Sequence, residues 1–271
     1  MNWKRLSKTD PDLLLLLEGP VRKYVLKSRW YGGKASNDKA FFADHLLPLD
    51  DGRSRYYLLI LEILYEEGFV HNYLLPLAKV SPEKVESKDG VICPFPESDD
   101  LLIDAVHDPG FRRALFRKMK NERRVSLEGS QLEMQRGRSL RSFDIPDRMK
   151  SRLLGVEQSN TSIIYEDAFI LKLYRRLFRD SNPDIEMAQF LSERTRFKNI
   201  PAFAASITWT RPNTYEISLG MMQELIPNDG DAWAWMLEQL DHAMDRVDIE
   251  TMEMWQRRPY SLARILKRSP T

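Results

Sequence analysis

The stretch from Arg152 to Glu193 constrains this chain most, because it calls for three neighbouring strands around a single lysine. Leu153-Leu154-Gly155 leads into the polar run Glu157-Gln158-Ser159-Asn160-Thr161-Ser162, and Ile163-Ile164-Tyr165 follows, which reads as strand, polar turn, strand. After a tight turn at Glu166-Asp167, residues 168–174 place Lys172 alone in a run of branched and aromatic side chains that favours a third strand. A lysine buried in a strand needs a partner. Asn182-Pro183-Asp184 supplies a cap and a first-turn proline for a helix from Ile185 to about Arg194, and Glu186 falls in its first turn. Lys172 and Glu186 can therefore pair. The simpler alternative has Lys172 snorkelling from a strand edge and Glu186 complementing a helix N-terminus.

Three strands around a polar loop, a strand lysine and a helix glutamate are the parts that hold ATP in a protein-kinase-like lobe. Triphosphate oxygens need donors close to the backbone, a cation on the α- and β-phosphates, and a carboxylate that fixes the cation's long stem. Several runs together carry a family resemblance: Gly155-Val156-Glu157-Gln158-Ser159-Asn160-Thr161-Ser162, Leu171-Lys172-Leu173, Asn182-Pro183-Asp184-Ile185-Glu186, and the run from Met222-Gln223-Glu224-Leu225 through Trp233. With Arg29-Trp30-Tyr31-Gly32-Gly33-Lys34 near the start, the chain resembles bacterial maltokinases over essentially its whole length. The resemblance implies ATP, with Mg2+ in the intact enzyme, as cofactor. It also implies maltose as acceptor, maltose 1-phosphate as product, and a fused or associated trehalose synthase as partner. The nucleotide-binding residues it implies are Gln158, Ser159, Asn160, Thr161, Ser162, Lys172 and Glu186, with Gln223, Glu224 and Leu225 as the hinge that reads adenine.

Ahead of this lobe the pattern changes to long strands. Residues 41–49, 55–66 and 69–80 alternate at period two between the turn signals Asp50-Asp51-Gly52 and Glu66-Glu67-Gly68, which predicts an antiparallel meander. Short helices are expected over the first 35 or so residues, with Pro11 and Pro20 at helix starts and Trp30 and Tyr31 plugging a core while Arg29 and Lys34 pair locally. Two helices are expected at 99–106 and 109–120, then a hairpin around Gly129 and a last strand near 139–143. The fold class expected is therefore α+β: a cap domain over 1–146 with a meander sheet and helices, a kinase-like N-lobe over 147–226 with a five-stranded antiparallel sheet and a helix, and hinge-following helices over 227–271. Strands at 203–210 and 214–223 complete the five.

Composition narrows the function classes. With net charge +1 over 271 residues, bulk attraction to nucleic acid or membrane is not expected. The basic cluster from Arg112 to Arg124 reads as a solvated helix face, because Phe111, Leu115 and Phe116 share the opposite side. The leucine run 13–17 is too short to span a bilayer, and a cytoplasmic location is expected. Cys93 has no metal-ligand companion, and Asp231 reads as a helix cap rather than half of a metal site. No metal ligands and no catalytic residue are assigned. The family's His-Gly-Asp and Asp-Phe-Glu runs, which supply the base and the magnesium ligand, do not occur among the 271 residues. The chain is thus expected to be the N-terminal part of a maltokinase and inactive by itself. The alternatives are the N-lobe of another aminoglycoside- or choline-kinase-like phosphotransferase, against which the run around Trp30 argues, and a non-catalytic module that packs on a trehalose synthase.

Overall fold

The computed structural model describes residues 1–244 except 53, 86, 128, 147, 155–158, 181, 212–215, 229 and 231. It is α+β, built on two antiparallel sheets. The first holds the meander β1 (Asp38–Asp50), β2 (Arg55–Tyr65) and β3 (Val70–Val80), followed by β4 (Val91–Pro94) and β5 (Leu101–Asp104) in the order β1-β2-β3-β5-β4. Alternation alone would leave one face of β2 wet. Instead Leu58 and Ile60 enter one core and Tyr57, Leu59, Leu61 and Ile63 another, so β2 is buried on both faces and reads as a nearly unbroken apolar run.

The outer core is closed by the N-terminal helices. Asp10 caps α1 (Pro11–Leu16) by accepting from the amides of Asp12 and Leu13, with Pro11 at the first position. Pro20 does not start a helix as expected. It lies inside a wider π turn, Leu17–Val21, that joins α1 to α2 (Arg22–Lys27), because a proline supplies no N–H to the helical ladder. Trp30 and Tyr31 are buried against this core, as expected.

The inner core is shared by both sheets. Across the first sheet from α1 and α2 lies α3 (Pro109–Lys120), capped by Asp108, whose Phe111 meets Tyr56 of β2 edge-on at 5.4 Å. Phe116 of the same helix meets Tyr165 and Phe169 of the second sheet, at 4.9 and 6.2 Å. The cations of this helix include structural ones. Arg112 is buried and donates to the Val106 carbonyl and to Ser151, and Lys120 donates to the carbonyls of Leu140 and Arg141.

The second sheet has seven strands, not the five expected. Its hairpin β6 (Arg124–Leu127) and β7 (Ser130–Arg136) turns at Gly129, whose φ of +78° suits glycine. With β8 (Ser151–Leu154), β9 (Asn160–Tyr165), β10 (Phe169–Tyr174), β12 (Phe203–Thr210) and β13 (Glu216–Glu224) the order is β6-β7-β12-β13-β10-β9-β8. The pairs from Ala205↔Arg136 to Thr210↔Gln131 carry this sheet across the boundary expected at residue 146. A two-residue strand between β10 and β12, β11 (Arg176–Leu177), returns to pair with β3 of the first sheet. Met1–Leu225 forms one compact unit.

Two further expectations are corrected. Residues 99–106 are not a helix: Leu101–Asp104 pairs along the edge of β3, from Val80↔Leu101 to Leu77↔Asp104, and a 3-10 turn, Ala105–His107, follows. An apolar run as short as Leu101-Leu102-Ile103 suits either structure, and the open edge decides. Residues 139–143 are not a strand but mostly α4 (Arg138–Ser142), which buries Leu140 against the shared core.

The remaining helices are α5 (Pro183–Gln189), continued by a π turn over Phe190–Arg194, and α6 (Ala232–Met244). The second unit begins at Ile226, and within it α6 is exposed along its length, Trp233 and Trp235 included.

Candidate functional site

Strand alternation sorts β10 into two faces. Phe169, Leu171 and Leu173 enter the shared core, and Lys172 lies on the other face. Its cross-strand neighbours are Ser162 of β9 and Met221 of β13, one on each side. Lys172 is half-buried, while Ser162 is fully buried and Met221 nearly so. Gly220 lets β13 run close here, since a Cβ at that position would stand 2.9 Å from the Lys172 carbonyl oxygen.

The turn that aims this strand is strained but tied. Glu166 and Asp167 both adopt positive φ, 51° and 49°, the pattern of a two-residue type I′ hairpin whose twist matches its strands. Asp167 accepts from Arg152 Nη2 at 3.1 Å, and the Glu166 carboxylate accepts from the Lys150 amide, so both side chains lock the turn to β8.

Among the described residues Lys172 has no ion pair and no side-chain hydrogen bond. The expected pair with Glu186 is not made in this structure. Asn182 caps α5 as expected, its side chain accepting from the Asp184 amide at 2.9 Å, and Glu186 sits exposed in the first turn, where the helix dipole favours a carboxylate. Two hydroxyls on the Lys172 face, Ser162 Oγ and Tyr174 Oη, are buried without a hydrogen-bond partner among the described residues. Burial, reinforced by the Asp184 carboxylate, pushes the Tyr174 phenol above its ordinary range and keeps it protonated. An unsatisfied buried hydroxyl is costly, so the Ser162 hydroxyl directly across the strands from a lysine is an arrangement suited to a polar ligand.

The other expected binding residues divide. Gln158 lies outside the described residues, and Ser159 is an exposed bend next to them. Asn160, Thr161 and Ser162 are not loop but the first three residues of β9, pairing with Tyr174, Leu173 and Lys172. Polar residues fit a strand here because each has a register partner. Thr161 is committed to structure, since its Oγ1 accepts from Arg175 Nε at 2.8 Å. At the expected hinge, the Glu224 amide donates to the Ala202 carbonyl at 2.9 Å and the Leu225 amide to the Ala168 carbonyl at 2.8 Å. Neither amide is left to donate to an adenine edge. Gln223 is half-buried on β13, opposite Ile170. Among the described residues no group of three or more His, Cys, Asp or Glu side chains is gathered to hold a metal ion.

The sequence reading missed the cation three residues on. Arg175 is buried and bonded to the buried Asp104 at 2.7 Å, to Thr161, and to the Leu74 carbonyl at 3.3 Å, and its guanidinium stands 5.0 Å from the Trp30 ring. Tyr24 also donates to Asp104, at 3.1 Å. This cluster joins α2, β3, β5, β9 and β10. The one signal for it is the Arg175-Arg176 pair directly after an apolar strand, since buried arginines require partners.

No family model matches the chain. Among solved structures it is similar to a glucosamine kinase in complex with glucosamine, ADP and inorganic phosphate, at 13% identity and a TM-score of 0.49, covering 84% of this chain and 44% of that one. Glucosamine kinase in crystal form A matches at 14% identity and a TM-score of 0.47, covering 84% of this chain and 44% of that one. Crystal form B matches at 13% identity and the same TM-score of 0.47, covering 88% and 44%. The chain thus spans less than half the length of the structures it matches.

Proposed function

We propose that this chain is the nucleotide-holding part of an ATP-dependent sugar kinase of the maltokinase kind. The observation that carries the reading is Lys172: a half-buried cation without an ion pair among the described residues, flanked by the partnerless buried hydroxyl of Ser162. Such a group costs stability unless something else uses it. In this reading ATP supplies the phosphoryl group that passes to the anomeric hydroxyl of maltose. Lys172 and Ser162 hold phosphate oxygens, Ser159 and Asn160 continue the polar rim, and Glu186 steadies the lysine from α5 once a nucleotide draws the two together. Gln223, Glu224 and Leu225 are proposed to meet the base through carbonyls and side chains, because the two amides named above are already bonded.

The groups that would bind Mg2+ and accept the hydroxyl proton are not assigned to any residue here. The 271-residue chain, given magnesium-ATP and maltose, is expected to form no maltose 1-phosphate by mass spectrometry. A longer protein that contains it together with His-Gly-Asp and Asp-Phe-Glu runs should form that product. There Lys172→Met should cut kcat/KM by roughly 10²-fold or more, the usual effect of removing one group aimed at transition-state charge. Wild-type turnover in that variant, or a longer protein that phosphorylates no sugar, would overturn the proposal.

A further inference from the structure

A cleft far from Lys172 in sequence has its own unspent charge. It measures about 800 Å³, the size of a small-molecule site, and is lined by residues of α2, the Arg29-Trp30 segment, β4 and the turn after β5. Its floor is Tyr24, Trp30, Val91 and Ile92. Its rim carries Lys23, Lys27 and Arg29, all exposed, against the single carboxylate of Asp89. Among the described residues none of the three cations has an ion pair.

Local structure does not account for this charge. A lysine in the last turn of α2 complements the helix C-terminus, which explains Lys27. It does not explain Lys23, which meets Lys27 one turn away with like charge, nor Arg29 beyond the helix end. His107 adds no further positive charge to the rim, because burial holds its imidazole below its ordinary range. The floor is held in place. Tyr24 is fixed by its bond to Asp104, Trp30 by the Arg175 guanidinium, and Gly90 packs so closely on the His107 ring that a Cβ there would stand 2.5 Å from Cγ.

We infer that this cleft is a second ligand site, separate from the Lys172 face, which takes a small phosphate monoester: the dianion between Lys23, Lys27 and Arg29, the carbon skeleton over Tyr24 and Ile92. A phosphate at neutral pH carries nearly two charges and three strong acceptors, which matches a rim with three cations and one carboxylate. The inference stands apart from the kinase reading, because it uses none of the same residues.

The test is calorimetric titration of the 271-residue chain with glucose 1-phosphate and, separately, with AMP, at constant ionic strength set by sodium chloride. Saturable binding of either ester is expected, and whichever binds tighter identifies the skeleton as sugar or nucleoside. Removing charged hydrogen-bond donors in Lys23→Ala/Arg29→Ala should weaken it by about tenfold or more. Lys23→Arg should keep it, and Lys172→Met should leave it unchanged. The replaced side chains are exposed, so an unaltered melting temperature of the free double variant checks that the fold is kept. No saturable binding of either ester, equal binding by the double variant, or loss of binding in Lys172→Met would each overturn the inference.

Discussion

Lys172 and Arg175 are three residues apart in one run of chain and have opposite surroundings. Arg175 is closed in by Asp104, Thr161, the Leu74 carbonyl and the Trp30 ring, while Lys172 has no ion pair among the described residues. A buried guanidinium with every neighbour arranged around it belongs to the fold. A half-buried ammonium paired across the strands with a buried Ser162 hydroxyl that has no partner among the described residues is unfinished as structure, and under the proposed function its use lies in what it holds. Charge content does not separate the two, since both are cations on or beside β10. What separates them is whether the fold already answers the charge.

The largest effect expected from breaking this contrast is at Asp104. In Asp104→Ala the Arg175 charge stays buried and uncompensated, which should cost ~3–5 kcal/mol of stability in urea unfolding. Lys172→Met, by comparison, should cost no stability, because no ion pair is lost and a half-buried charge is removed. If the two variants lose equal stability, the contrast fails.

Gly220→Ala sharpens the contrast. The added methyl would meet the Lys172 carbonyl oxygen at 2.9 Å and push β10 from β13, so a loss of about 1–3 kcal/mol is expected from overpacking. Because the strand that carries Lys172 moves, nucleotide binding should weaken as well. Unchanged unfolding in this variant would mean that the sheet gives way without cost.

The smallest effect concerns His107, which faces the buried pair. Burial depresses its pKa, Asp104 raises it and Arg175 lowers it, with burial the largest cause. The folded state therefore prefers the neutral ring. Its stability contribution is present above the ordinary value of 6.5 and is lost as pH falls below it, because the unfolded chain takes up the proton first. His107→Gln should flatten the fall in melting temperature between about pH 7 and 5 relative to the wild type. An equally steep fall in the variant would assign the slope to other groups, such as His71, which burial and Arg176 also depress.

How far the sequence was legible follows the same line between local and distant interactions. The meander showed because alternation and Gly52 and Gly68 turns act within a few residues, and α5 showed through its Asn182 cap and Pro183. Residues 101–104 and 138–142 were misread because runs this short fit either element, and the β3 edge and the shared core decide them. No local pattern announces that β7 pairs with β12, some seventy residues on, so the second sheet was read two strands short. At the candidate site, Lys172 stood out as a lone charge in an apolar strand. Ser162 was read as loop and the Arg175–Asp104 bond was missed, since each depends on a register or a contact that forms only when the strands assemble.

The central claim, that Lys172 serves a ligand and Arg175 serves the fold, is tested most directly by thermal unfolding of the wild-type chain, Lys172→Met and Arg175→Met with and without 10 mM ATP. At an affinity near millimolar, ATP should stabilise the wild type by about 1.4 kcal/mol. Lys172→Met should melt no lower than the wild type and lose the response to ATP, while Arg175→Met should melt well below both without ATP. A Lys172→Met chain that still responds fully to ATP, or that melts as low as Arg175→Met, would contradict the account.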